Sequence, residues 1–127
     1  MSPLLKILHI IDSGGLYGAE MMILSLMVEQ KKLGHSPVLC SISSDKYLEK
    51  GIEKKALELN LNIEKFIIKP GLSCQGAGRI VNFGKLIGAD IFHSHGYKPN
   101  ILLSLYPGIF RKIPLLSSIH GWTNTTK

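Results

Sequence analysis

The sequence predicts a doubly wound parallel α/β sheet with strand order 3-2-1-4-5. Three features point to it: short apolar runs rich in β-branched residues, amphipathic stretches between them, and glycines where the runs turn or stop. Continuous apolar runs fit strands buried on both faces, and strands alternating with helices imply parallel pairing through right-handed crossovers. With 127 residues, of which 45% are hydrophobic and 19% charged, the chain fits one globular domain able to bury a core without staples.

Leu4–Ile11 (LLKILHII) reads as the first strand, broken by Ser13, Gly14, Gly15 and Gly18. A helix follows over Ala19–Leu33, with Ala19, Ile23, Leu26, Met27 and Gln30 on one face and Gly34 as a left-handed stop. Pro37–Ile42 is the second strand. Ser43, Ser44 and Asp45 offer an N-cap to a second helix striped by Leu48, Ile52, Ala56 and Leu59, with Lys50 and Glu53 among the charges outside the stripe. Ile63–Ile68 is the third strand and Pro70–Gly78 a turn-rich loop. Arg79–Ile87 is a short helix stopped at Gly88, and Asp90–His93 the fourth strand. Pro99–Tyr106 is a helix ended by Pro107-Gly108, and Leu115–Ile119 the fifth strand. The chain ends shortly afterwards, before any helix could cover that strand, so it is expected to be a piece of a longer protein.

Composition excludes several classes. Cys40 and Cys74 form no disulfide or zinc pattern and read as free cytosolic thiols. The first residues lack a cleavage site, and no apolar run approaches the ~20 residues of a membrane span. The net charge of +6 invites an anionic partner, but lysine supplies 13 of the 15 basic residues. Arginine-poor surfaces lack the forks that read bases, and no nucleic-acid-binding signature is present. The lysines at 31, 32, 46, 50, 54, 55 and 65 could form a basic surface for an anionic membrane, or a solvated helix face.

In such sheets ligands gather at the carboxyl ends of the strands near the switch point between strands one and four. That selects Ser13–Glu20, His93–Tyr97 and His120–Trp122. The glycines of the first segment either let an anion approach backbone N–H groups or serve a tight turn. Ser13 replaces the first glycine of a dinucleotide fingerprint, and Ser41 and Ser43 stand where that motif has an acid, so a nicotinamide dehydrogenase is disfavoured. No GK[ST] makes a P-loop and no GxSxG makes a nucleophile elbow. Glu20 either stabilises its helix N-terminus or accepts hydrogen bonds in the cleft. His93 and His95 share a strand face and, with His120, could mimic a three-histidine metal site; lacking a carboxylate or cysteine, they read as polar cleft groups with no metal. His9 is read as a satisfied core histidine and His35 as a turn residue.

GGLYGAE opening a helix, LGH at Leu33–His35, ADIFHSHG at Ala89–Gly96 and IPLLSSIHGW at Ile113–Trp122 occur in this order. Together they resemble the N-terminal domain of the family 4 (group 1) glycosyltransferases over Leu4–Trp122. The resemblance implies a Rossmann-like, acceptor-side half of a GT-B fold over residues 1–127, with the donor-binding C-terminal domain lying outside. It implies a retaining hexosyl transfer from a nucleotide-sugar to a glycan or lipid-linked acceptor, as in bacterial cell-envelope polysaccharide biosynthesis, without metal or other cofactor. The location implied is cytoplasmic, with peripheral contact at the inner membrane face. His120 would be the catalytic histidine, Gly14, Gly15, Glu20, His95 and Gly121 would bind substrate, and Trp122 would stack on a sugar or cap the packing. Without its partner domain the chain should be inactive. The alternative is a non-catalytic nucleotide- or partner-binding module of the same fold.

Overall fold

The apolar runs become strands β1 (Lys6–Ile11), β2 (Ser36–Ser43), β3 (Asn62–Ile67), β4 (Ile91–His95) and β5 (Leu115–Ser118) in a computed structural model describing residues 3–12, 18–45, 47–68, 74–104 and 112–118. Between them run helices α1 (Gly18–Lys32), α2 (Gly51–Glu58), α3 (Cys74–Ile87) and α4 (Tyr97–Ser104). All pairings are parallel and the order is β3-β2-β1-β4-β5, as the alternation predicts.

Alternation along each strand splits the core in two. Leu8, Ile10, Cys40, Ile42 and Phe92 pack with Ala77, Ile80 and Val81 of α3 and Leu102 and Leu103 of α4. Ile11 and Leu39 face the other way, onto Ile23, Leu24 and Met27 of α1 and Ile52 and Ala56 of α2. Helices therefore cover both faces of the central strands, which a parallel sheet requires. Burial raises the Cys40 thiol far above its ordinary range, with Glu64 adding to the shift and Arg79 opposing it, so Cys40 is an inert core group.

Three expectations are corrected. The buried stripe of α1 is Glu20, Ile23, Leu24 and Met27, while Leu26 is 37% exposed, because the carboxylate of Glu20 joins the inward face. The second helix begins at Gly51, not in the Ser43–Asp45 turn; Ser43 and Asp45 bond each other instead, and Glu53 Oε1 accepts the Lys50 N–H at 3.1 Å. The third helix starts at Cys74, inside the expected Pro70–Gly78 loop. Its glycines are packing sites: a Cβ on Gly76 would lie 2.8 Å from Ile68, and one on Gly84 would lie 2.2 Å from the buried ring of Phe92. Gly34, at φ +94°, stops α1 as expected.

Gly84→Ala should therefore overpack the α3 face and cost about 1–3 kcal/mol, read as a lowered denaturant midpoint at unchanged m-value. Gly18→Ala, which meets nothing within 4 Å, should leave that midpoint unchanged or slightly raised.

Candidate functional site

Parallel pairing sets the site. β1 and β4 are neighbours, with His9 beside His93 and Ile11 beside His95 in register. Side chains paired this way share a face, so His9, His93 and His95 all project to the α1 side of the sheet, and all three are buried. Ring centroids stand 5.2 Å apart for His9 and His93, 5.2 Å for His9 and His95, and 4.0 Å for His93 and His95.

The hydrogen bonds give this cluster a direction. Gln30 on α1 presents Oε1 at 2.8 Å from His9 Nε2. A carbonyl oxygen only accepts, so His9 carries its proton on Nε2 and its Nδ1 accepts from His95 Nε2 at 2.9 Å. His93 Nε2 meets Ser118 Oγ of β5 at 2.8 Å. Burial pushes His9 down to about pKa 4, the Gln30 bond partly opposes the shift, and proximity to His93 adds to it. His9 is thus a neutral group at physiological pH.

A second polar system lies along the carboxyl ends of β1 and β2. Lys50, 5% exposed, donates from Nζ to the Ile42 carbonyl at 2.6 Å and to Asp12 Oδ1 at 3.2 Å. Glu53, also buried, accepts from Ser41 Oγ at 2.6 Å and lies 3.7 Å from Lys65 Nζ. Both residues were placed on the solvent side of α2 by periodicity, and Lys50 leaves the proposed basic surface. Of the remaining lysines, Lys32 pairs with Glu29 and Lys55 with Glu58. At the β4–β5 end, Ser94 Oγ donates to Asn100 Oδ1 at 2.5 Å, and Asn100 Nδ2 donates to the Ser118 carbonyl at 3.1 Å.

Two of the sequence-nominated residues, Glu20 and His95, are buried near this edge, Glu20 in the first turn of α1 and His95 at the last position of β4. Gly14, Gly15, His120, Gly121 and Trp122 lie outside the described residues. They follow β1 and β5 in the chain, whose carboxyl ends flank that of β4. Among the described residues the histidine beside His93 and His95 is His9, and one ring nitrogen from each falls within 4.8 Å of the others; His120, grouped with them from the sequence, lies outside the described residues. His9 is the satisfied core histidine the sequence suggests, buried and bonded to Gln30 and His95; which partners satisfy it, the sequence does not say.

No protein-family model matches the chain, and no curated protein matches it as a relative. Solved structures do match. A glycosyltransferase from Rickettsia africae ESF-5 superposes over 99% of this chain and 32% of its own, with TM-score 0.72 at 18% identity. A UDP-GlcNAc 2-epimerase from Neisseria meningitidis, bound to UDP-GlcNAc, superposes over 88% of this chain and 31% of its own, with TM-score 0.60 at 17% identity. The chain spans about a third of the length of these structures. What is shared is the Rossmann-like parallel sheet flanked by helices. Among the described residues no helix is long and apolar enough to cross a membrane.

The shifted His9 predicts a pH dependence. Unfolded, His9 protonates near 6.5; folded, only near 4. Acidification through that window favours the unfolded state, so the His9 contribution is complete above the unfolded value and is lost as pH falls toward the folded one. Between pH 7 and pH 5 in EDTA-containing buffer, wild type should lose about 2 kcal/mol relative to His9→Gln, measured by urea unfolding. Parallel losses in both proteins would place the titration elsewhere.

Proposed function

We propose that this chain is the N-terminal, acceptor-side domain of a GT-B glycosyltransferase that moves a sugar from a nucleotide-sugar to a glycan or lipid-linked acceptor with retention of configuration. The observation carrying this reading is the placement of Glu20 and His95, buried at the carboxyl edge beside the switch point of a sheet whose fold is shared with a glycosyltransferase over 99% of the chain. Ligands of open α/β sheets bind at that crevice. The ordered motifs GGLYGAE, ADIFHSHG and IPLLSSIHGW add weight, since their residues precede, form or follow the strands that meet there.

In this reading Glu20 accepts hydrogen bonds from acceptor hydroxyls. His95 presents an imidazole whose Nε2 proton is engaged by His9, which fixes the ring's tautomer and orientation toward the acceptor. His120 contacts the transferred sugar, Gly14 and Gly15 let the loop after β1 approach the substrates, and Gly121 contributes backbone beside His120. The nucleotide would be held by a second domain, so the reaction requires a longer chain than residues 1–127. No cofactor is needed for this transfer.

A second reading comes from the epimerase bound to UDP-GlcNAc, whose fold is also shared: the domain would then serve inversion at a sugar carbon, with no acceptor. Product analysis separates the two. In a protein extending past Lys127 into a donor-binding domain, a labelled nucleotide-sugar should pass its sugar to an acceptor, and Glu20→Ala and His95→Ala should each lower kcat/KM at least about tenfold. Residues 1–127 alone should give no transfer. Robust transfer by the short chain, full activity in both variants, or an epimerised nucleotide-sugar as product would overturn the transferase reading.

A further inference from the structure

We propose that His9, His93 and His95 form a binding site for one divalent transition-metal ion of the zinc, cobalt or nickel class, ligated by three imidazole nitrogens on the α1 side of the sheet. The ligand atoms come from two adjacent strands held in fixed register and lie within 4.8 Å of one another. In a tetrahedral site with Zn–N bonds of ~2.0–2.1 Å, bound nitrogens stand ~3.3 Å apart and ring centroids ~5 Å apart. His9 is 5.2 Å from both other rings, and His93 and His95 are 4.0 Å apart. The rings therefore stand close to the spacing a shared ion imposes. On binding, the proton of His95 Nε2 gives way to the metal and the ring keeps its proton on Nδ1; the His9 Nδ1–His95 Nε2 pair, at 2.9 Å, opens slightly, and the widest pair closes by up to ~1.5 Å through ring rotation.

A metal-bound imidazole usually donates its other N–H to an outer-shell acceptor that fixes the tautomer. That arrangement is present twice. Gln30 Oε1 takes the His9 Nε2 proton at 2.8 Å and so directs the Nδ1 lone pair into the cluster. Ser118 Oγ lies 2.8 Å from His93 Nε2. An all-imidazole set selects zinc, cobalt, nickel or copper over magnesium and calcium, which prefer oxygen. Access comes from a groove of about 170 Å³, lined by Leu5, Ile7, Gln30, Ile91, His93 and Leu116, which reaches His93 from the surface. A water as fourth ligand would complete the open arrangement of three protein nitrogens and one exchangeable position.

Co(II) titration of the chelator-treated protein tests this site. A single ion should bind per chain, with the intense visible bands of four-coordinate Co(II), and added Zn(II) should abolish them. His93→Ala should remove the bands, and Gln30→Leu should weaken binding by about 10–100-fold. His35→Ala should change nothing, since His35 sits at the opposite edge and accepts the Leu5 N–H there. Absent bands in wild-type protein whose circular dichroism shows it folded would overturn the site, as would undiminished bands in His93→Ala or their loss in His35→Ala. The wild-type titration decides alone if a variant fails to fold.

Discussion

The register of β1 against β4 is the constraint on which the rest of the site depends. It seats His9 beside His93 in the interior of a sheet covered on both faces, where the other buried positions of β1 are apolar. A buried imidazole left without partners costs about 1–3 kcal/mol per unsatisfied group. Among the described residues no buried side-chain nitrogen or oxygen is left without a hydrogen bond. Satisfying the histidines fixes neighbouring elements: Gln30 must sit over His9, which sets how α1 lies on the sheet, and Ser118 must reach His93, which sets β5 against β4. Slipping β1 by one residue would turn His9 to the opposite face and break its contacts with Gln30 and His95, and slipping β4 would turn His93 and His95 and break those with His9 and Ser118.

The Lys50–Asp12–Glu53 system works by the same logic on the β2 side. A buried ammonium is tolerable only with charge and hydrogen-bond partners, and Lys50 has a carboxylate and a strand-end carbonyl. Glu53 accepts from the Lys50 backbone and from Ser41, linking the start of α2 to β2. These contacts pin the amino end of α2 near the carboxyl ends of the strands. The polar edge is thus a consequence of how the helices are anchored.

The fold was legible because strand and helix periodicities alternate cleanly, and because Gly34 and Gly88 end helices where the pattern stops. A glycine of α3 misled for the opposite reason. Gly76 read as part of a loop, yet it lets the helix approach Ile68, as Gly84, inside the expected helix, lets it approach Phe92, a tertiary demand that local propensity does not encode. Glu20 and His95 could be nominated from topology alone, since position at a strand end is a sequence property once the strands are placed. Lys50, Glu53 and the role of His9 could not. Their burial depends on partners 38 residues away for Lys50 and Asp12, and 86 away for His9 and His95, and periodicity assigns charged residues to solvent by default.

The electrostatics of this edge bear on what it can recognise. His9 is held neutral by burial; Lys50 and Asp12 cancel, and Glu53 lies against Lys65. These described groups make the edge rich in donors and acceptors but nearly balanced in charge, although the chain as a whole carries +6. A site for a nucleotide diphosphate gathers uncompensated cations or helix N-termini around the anion. A site for sugar hydroxyls needs fixed dipoles and a carboxylate, which Glu20, His95 and their supports can supply. On the proposed reading, that balance suits a pocket for acceptor hydroxyls, with the diphosphate held by residues outside these described groups.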